Sequence, residues 1–462
     1  MPTDVRWDAV LGEAGKAQEQ FHIPGVAIGI LADGETRTGG VGVTDLRVPL
    51  AVDGDTLFQI GSISKTVTAA LTLMLHQRGL LDLDAPLRTY LPGFQVADQE
   101  ASERVTPRLL FSHTVGWLGD DLQDQTSSLE LAVERMRWLP QLFPFGSLWS
   151  YNNAAFYPAG RLVEVLSGRQ FIRMAREDLF QPLGMHDTAH RHTDLLTEKL
   201  AMGFSADYED GKGSLPGRWD GQEALAPVVG VSSTARDMVR WAQFTIDGRD
   251  NAGNELLSVG SRRLLCERRY PVGLDQSVGF TWFARDAGGA RLISHSGSMR
   301  FQQSHLLIAP ERGFALVLLT NSERGFELID RVTREALRAY LDIDTPQPEP
   351  HPGSAEALAP YAGHYTAQLA DVHLDLAGDT LWLQLIPKPI GSSPNAAPPP
   401  PPTRLALMAQ PDVLVALDPP LEGKTIPFLR NESGDVAWLR NDLRLHRRRR
   451  GGLESVRGAA EP

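Results

Sequence analysis

The chain has 462 residues, 42% of them apolar and 22% charged, and a formal net charge of −12. That length suits two domains, one of them large, and the composition is that of an ordinary globular protein. The acidic balance argues against a nucleic-acid partner, and the single cysteine, Cys266, excludes internal disulfides and multi-cysteine metal sites.

Met1 to Ala9 carries neither a basic n-region nor an apolar core, and no apolar run approaches a membrane span. A cytoplasmic protein with no membrane partner is expected. Val5 to Gln20 reads as an amphipathic helix capped by Asp4. Gly25 to Leu31 is a short apolar strand, and Asp33-Gly34 turns it into Thr36 to Val43.

Next comes Phe58-Gln59-Ile60-Gly61-Ser62-Ile63-Ser64-Lys65, a strand end and turn. Val67, Ala70, Leu71, Met74 and Leu75 then recur at helical spacing until Gly79. Ser62 falls at a helix N-terminus, with Lys65 one turn later on the same face. A hydroxyl there meets the positive end of the helix dipole and an amine able to take its proton. An N-cap serine followed by a solvated lysine would look the same in a short motif. The helix is apolar on several faces, however, and a lysine entering a buried helix needs a reason.

From Leu81 to about Arg240 the pattern is helix and loop, clearest at Leu129 to Leu139 and at Pro158 to Ser167, which Gly168 closes. Sheet character returns at Phe280 to Phe283, Arg291 to His295, His305 to Ala309 and Phe314 to Thr320. A helix carrying Ile329, Val332, Ala336, Leu337 and Tyr340 follows. The expected fold is α/β: an antiparallel sheet flanked by helices, with an inserted all-α subdomain over about 81–240, all within residues 1–344. Residues 345–354 form a Pro-rich linker.

Beyond the linker the period changes to two. Val372, Leu374 and Leu376 alternate before Gly378-Asp379, and Leu381, Leu383 and Leu385 after it. Ile426 with Phe428 and Val436 with Trp438 flank Ser433-Gly434 in the same way. A small antiparallel β-barrel over 355–448 is expected, with 449–462 as a tail. Pro398 to Pro402 reads as a stiff loop between strands, and Arg447 to Arg450 as a solvated basic tail.

Three short motifs carry the chemistry: Ser62-Ile63-Ser64-Lys65, Tyr151-Asn152-Asn153 before a helix, and His295-Ser296-Gly297-Ser298 closing a strand. In this order and at these separations they resemble the serine penicillin-recognising superfamily: class C β-lactamases, D,D-peptidases, D-aminopeptidases and related esterases. The resemblance runs from about Gly25 to Asn321. It includes Leu81-Asp82-Leu83-Asp84-Ala85, Leu109 to Gly116, Pro182-Leu183-Gly184-Met185 and Ser233 to Asp237. The β domain resembles the lipocalin-like module found on several members.

The resemblance implies that Ser62 is the nucleophile, that Lys65 and Tyr151 share the proton work, and that Asn153 holds Lys65 and the substrate by its side chain. The expected oxyanion hole is the backbone N–H of Ser62 and of Ser298, on an edge strand, each donor being worth about 2.7–4 kcal/mol. Gly297 is expected to clear a path for the acyl group. His295 stands where the lactamase version has lysine, to donate to a carboxylate or relay a proton to Tyr151. For Lys65 to act as a neutral base, its pKa must fall about three units from ~10.4, a cost of roughly 4 kcal/mol. Alternatively a charged Lys65 stabilises a Tyr151 phenolate. Met299-Arg300-Phe301 depart from the small residues usual after H-x-G and should narrow the cleft, with Arg300 facing a substrate carboxylate or solvent.

The expected function is a serine hydrolase acting on small-molecule esters or amides, without cofactor. The alternatives are a β-lactamase or D,D-peptidase and, from another class, an idle scaffold of the same fold. His186, His190 and His192 invite a metal reading, but no carboxylate spacing supports one.

Overall fold

A computed structural model describes residues 4–120, 126–190, 199–206, 208, 223–345, 347–351, 353–389 and 398–449. The chain forms two compact units, Met1–Thr345 and Pro346–Pro462.

The first unit is built on an antiparallel sheet of eight strands: β1 (Gly25–Ala32), β2 (Glu35–Gly42), β5 (Tyr270–Pro271), β6 (Ser277–Val278), β7 (Phe283–Ala287), β8 (Ala290–Met299), β9 (Gln302–Ala309) and β10 (Phe314–Thr320). Their order is β2-β1-β10-β9-β8-β7-β6-β5. A separate pair, β3 (Leu57–Gln59) with β4 (Ser232–Thr234), joins the two ends of the helical insertion. All seven residues of β10 are buried, as a strand covered on both faces requires.

Alternation along the strands sorts the two faces. Val26, Ile28, Ile30, Leu316 and Leu318 pack with Val10, Ala14, Leu328, Val332 and Leu337 of the helices Val5–Gln20 and Gly325–Leu341. Ala27, Ile293, Ile308, Val317 and Leu319 face the helices Ser64–Gln77, Phe156–Ser167 and Ala235–Asp247. Gly29 marks a tight approach on that side, where an added Cβ would lie 2.6 Å from Val239 Cγ2. Asp4 caps the first helix, as expected, accepting from the Arg6 N–H at 3.1 Å.

Several boundaries differ from the sequence expectation, among them the starts of β9 at Gln302 instead of His305 and of the helix Phe156–Ser167, and three have a local physical reading. The strand expected at Phe280 starts only at Phe283, because Thr281 adopts φ +75° and gives its N–H to Phe111 O instead of a strand partner. The strand expected to end at His295 runs on to Met299. The helix expected through Leu139 is α-helical only to Arg135 and tightens into a 3₁₀ turn over Met136–Trp138.

The second unit is a closed antiparallel barrel: β11 (Gly363–Thr366), β12 (Ala370–Ala377), β13 (Thr380–Pro387), β14 (Thr403–Leu407), β15 (Val413–Ala416), β16 (Thr425–Arg430), β17 (Val436–Asn441) and β18 (Arg444–Arg448). Tyr365, Val372, Leu374, Leu381, Leu383, Leu405, Leu414, Ile426, Phe428 and Val436 fill its interior. Trp438 does not join them. A register shift between Leu429 and Arg430 inserts one residue opposite, and Leu439 takes the inward position. The basic run is only in part a solvated tail: Arg447 and Arg449 are exposed. Arg447 and Arg448 belong to β18, and Arg448 donates to the Pro360 and Ala362 carbonyls with its guanidinium over the Tyr365 ring; Arg450 lies outside the described residues. Pro398 to Pro402 is an irregular segment leading into β14, tied by Gln384 Nε2 to Pro400 O at 2.9 Å. Among the described residues no helix is long and apolar enough to cross a membrane.

Leu316 and Leu318 lie on the helix-covered face of the central strand, so Leu318→Ala should lower the unfolding free energy of this unit by about 2–5 kcal/mol. Urea unfolding followed by tryptophan fluorescence checks this.

Candidate active site

Gly61 adopts φ +50° after β3, and the 3₁₀ turn Gly61–Ile63 feeds directly into the helix Ser64–Gln77. Ser62 therefore lies in the turn before the helix. It does not cap it, since no side chain does. Ser64 braces the turn, donating from Oγ to Gly61 O at 2.6 Å and accepting the Val231 N–H at 3.0 Å. Lys65 is completely buried, which rules out the solvated lysine. Its Nζ lies 3.0 Å from Ser62 Oγ and donates to Val228 O at 2.9 Å, with the rings of Tyr151 and Phe156 at 5.1 and 5.3 Å.

The Tyr151-Asn152-Asn153 loop precedes the helix Phe156–Ser167 and is gripped through its backbone. Asn153 and Ala154 both give their N–H to Gly119 O at 2.9 Å, and Asn152 Nδ2 donates to Trp117 O at 2.8 Å. The Asn152 N–H donates to His113 Nδ1 at 3.0 Å, and the His113 ring stacks on Tyr151 with centroids 4.3 Å apart. Sequence reasoning gave His113 no role beyond its place in a motif. It gave Asp120 none at all, yet Asp120 Oδ1 accepts from Asn153 Nδ2 at 3.0 Å. The remaining polar atom of that side chain, Asn153 Oδ1, is buried without a hydrogen-bond partner.

The third element is the far end of β8. The strand is internal, flanked by β7 and β9, but its pairing with β7 stops at Phe283 opposite Ser294. Past that point β8 is an edge. Met299 and Gln302 close a two-residue hairpin whose central residues, Arg300 and Phe301, have φ +48° and +62°, a type I′ turn. Hydrogen-bonded and non-bonded pairs alternate back from that closing pair, which puts Ser298 opposite Gln303 in a non-bonded pair. The Ser298 N–H consequently points away from β9, toward the open side.

Gly297 serves a close backbone approach. A Cβ there would lie 2.0 Å from Ile60 O, and a Cβ on Gly61 would lie 2.7 Å from Ser298 N. The absent side chains let the two backbones touch, which brings the Ser298 amide beside the residue preceding Ser62.

His295 is buried, with Nδ1 2.7 Å from Ser296 O. A carbonyl only accepts, so Nδ1 carries the proton and Nε2 is a bare acceptor, buried and without a hydrogen-bond partner. Burial, and then the charge of Lys65, push the imidazole pKa down to about 3. A neutral ring with that tautomer presents an acceptor at Nε2; of the two expected roles, donation to a carboxylate would need the other tautomer or a protonated ring. Its centroid is 6.3 Å from that of Tyr151. Arg300 and Phe301 sit at the hairpin tip.

The histidines near 190 do not converge. His186 is exposed, His192 lies outside the described residues, and His190 is wedged between the rings of Phe171 and Phe180 at 5.7 and 5.6 Å. Among the described residues no group of three or more His, Cys, Asp or Glu side chains could hold a metal ion.

A Ser-x-x-Lys at a helix start, a tyrosine loop and a His-x-Gly strand end, on an antiparallel sheet between helical layers, define the penicillin-recognising class of fold. The chain matches the Beta-lactamase family over residues 13–340 and belongs to that family. It is 31% identical over 360 residues to "Penicillin-binding protein 4" of Amycolatopsis lactamdurans, covering 75% of this chain and 94% of that one. It is 26% identical over 328 residues to the D-aminopeptidase of Brucella anthropi, covering 66% of this chain and 58% of that one. The crystal structure of SurE superposes with a TM-score of 0.73 at 24% identity, covering 96% of this chain and 99% of that one, a likeness of fold.

Two outcomes test this geometry. Gly297→Ala should lower turnover by about 10²-fold or more while leaving the circular dichroism spectrum unchanged, because backbone must separate from backbone beside Ser298 N, the expected oxyanion donor. Burial holds His190 neutral, with its pKa lowered to about 3. The unfolded histidine protonates near 6.5, so stability is full above that pH and falls as pH drops toward 3. His190→Leu should move the acid-unfolding midpoint to lower pH, read by circular dichroism.

Proposed function

We propose that the chain is a serine hydrolase cleaving small-molecule esters or amides through an acyl-enzyme on Ser62. The observation that carries this is the wholly buried Lys65 amine 3.0 Å from Ser62 Oγ. A structural residue has little reason to place an amine there, because burying one costs several kcal/mol.

In this reading Ser62 Oγ bonds to the carbonyl carbon, and its proton passes to the Lys65–Tyr151 pair. The oxyanion is held by the Ser62 and Ser298 N–H groups. Collapse expels the leaving group, which takes the proton, and water repeats the sequence in reverse to free the acid. His295 Nε2, an acceptor, serves to receive a hydrogen bond on the Tyr151 side rather than to bind an anion.

That last point favours the esterase and D-aminopeptidase end of the family over a β-lactamase or D,D-peptidase. A neutral histidine supplies no cation for the carboxylate those substrates carry. The relative named D-aminopeptidase supports the amide side of the reading.

Nitrophenyl-ester turnover should be measurable and should fall by about 10³-fold or more in Ser62→Ala, with nitrocefin turned over weakly or not at all. A stoichiometric phosphonate adduct on the peptide bearing Ser62, seen by mass spectrometry, should disappear in the variant. Ester turnover that survives the substitution would defeat the assignment.

A further inference from the structure

His113 grips the tyrosine loop on both sides of the tyrosine. Its carbonyl accepts the Ser150 N–H at 3.2 Å, and its Nδ1 accepts the Asn152 N–H at 3.0 Å. Between these two residues the Tyr151 ring lies against the imidazole, with centroids 4.3 Å apart and planes 23° from parallel. The Asn152 carbonyl is 3.2 Å from the same nitrogen, so either tautomer ties the ring to Asn152. The backbone before and after Tyr151 and its ring are thus set by a single residue.

A histidine that only filled space would need none of this. His113 is completely buried, with the Trp149 ring edge-on at 6.1 Å and the Phe156 ring at 5.5 Å. Its backbone has φ +57°, in the left-handed region. A residue other than glycine stays there only where its surroundings enforce it, and histidine and asparagine are among those that tolerate it. What His113 grips belongs to the site: Lys65 Nζ is 5.1 Å from the Tyr151 ring centroid and 3.0 Å from Ser62 Oγ.

We propose that His113 is a positioning residue for Tyr151, holding its phenol in the orientation that hands a proton to the leaving group. This rests on the acyl-enzyme reading of Ser62. The hold is made through Nδ1, which is bonded to Cγ. Asparagine carries Oδ1 on the same carbon and accepts the same backbone conformation, so it keeps the hold without the ring. Phenylalanine keeps a flat ring and loses the acceptor.

The test compares p-nitrophenyl butyrate with ethyl butyrate. Both give the same butyryl-enzyme, so any difference between them arises before it forms. The nitrophenolate leaves as a stable anion, whereas ethoxide needs a proton. In His113→Phe, kcat/KM for the ethyl ester should fall about tenfold or more further than for the nitrophenyl ester, part of the 10²–10⁴-fold typical of general acid–base catalysis. His113→Asn should bring the ratio of the two esters back toward the wild-type value. Equal losses on both esters in a folded His113→Phe overturn the proposal, as does a folded His113→Asn that leaves the ethyl ester selectively impaired. Should His113→Phe fail to fold, His113→Asn decides by itself, a wild-type ratio supporting the proposal and a lowered one overturning it. Ester turnover that survives Ser62→Ala overturns the underlying reading instead.

Discussion

The site depends on one contact between two stretches of backbone, Ile60-Gly61 against Gly297-Ser298. Neither glycine is there for flexibility alone: a methyl group on Gly297 would stand 2.0 Å from a carbonyl oxygen, well inside any tolerable distance. The approach is fixed by hydrogen bonds from several sides. Ser304 Oγ donates to Ile60 O at 2.8 Å, Ile60 N donates to Val231 O at 3.0 Å, and Gln302 accepts the Gln59 N–H at 2.9 Å while donating to Ala201 O at 3.0 Å. Each bond contributes only about 1 kcal/mol net, but each serves a buried group that would cost more if orphaned. The turn before the serine is therefore part of the sheet as much as of the helix. An amide that must meet a developing negative charge gains most from being fixed beforehand.

Charge is arranged with the same economy. Lys65 is wholly buried, with a carbonyl, a hydroxyl and two aromatic faces around its amine. Its presence helps hold His295 neutral, since a second cation so close would be repelled in a medium of low polarity. The histidine thus differs in kind from a lysine at the same place. It offers a lone pair where a lysine offers charge, and this shifts the expected chemistry away from substrates that need a cation for a carboxylate.

Much of this was legible in the chain. Local pattern sufficed where one face of a helix or strand decides burial: Val5 to Gln20, Phe314 to Thr320 and the barrel strands Ala370–Ala377 and Thr380–Pro387 lie where periodicity puts them. Periodicity failed where one residue breaks the count. Thr281 at φ +75° delays β7, and the shift opposite Arg430 moves Leu439 inward in place of Trp438. No pattern announces either, because both are settled by partners distant in sequence. The motif residues Ser62, Lys65 and Tyr151 could be named from their order alone. The reason for Gly297, the tautomer of His295 and the presence of Asp120 could not, since each follows from an atom brought in by folding: Ile60 O, Ser296 O and Asn153 Nδ2.

The helical insertion explains how residues so far apart in sequence are held together. It leaves at β3 and returns at β4, and these two strands pair, with Leu57 opposite Thr234. The nucleophile turn follows β3 at once, while Val228 and Val231, which receive Lys65 Nζ and the Ile60 N–H, lie just before β4. The insertion can therefore carry the Tyr151 loop and its support, Trp117 to Asp120, without loosening the serine. Substitution within that support acts on the Tyr151 loop but leaves the backbone contact at Gly297 standing. A fold divided in this way can change substrate in one layer and conserve the acylation chemistry in the other.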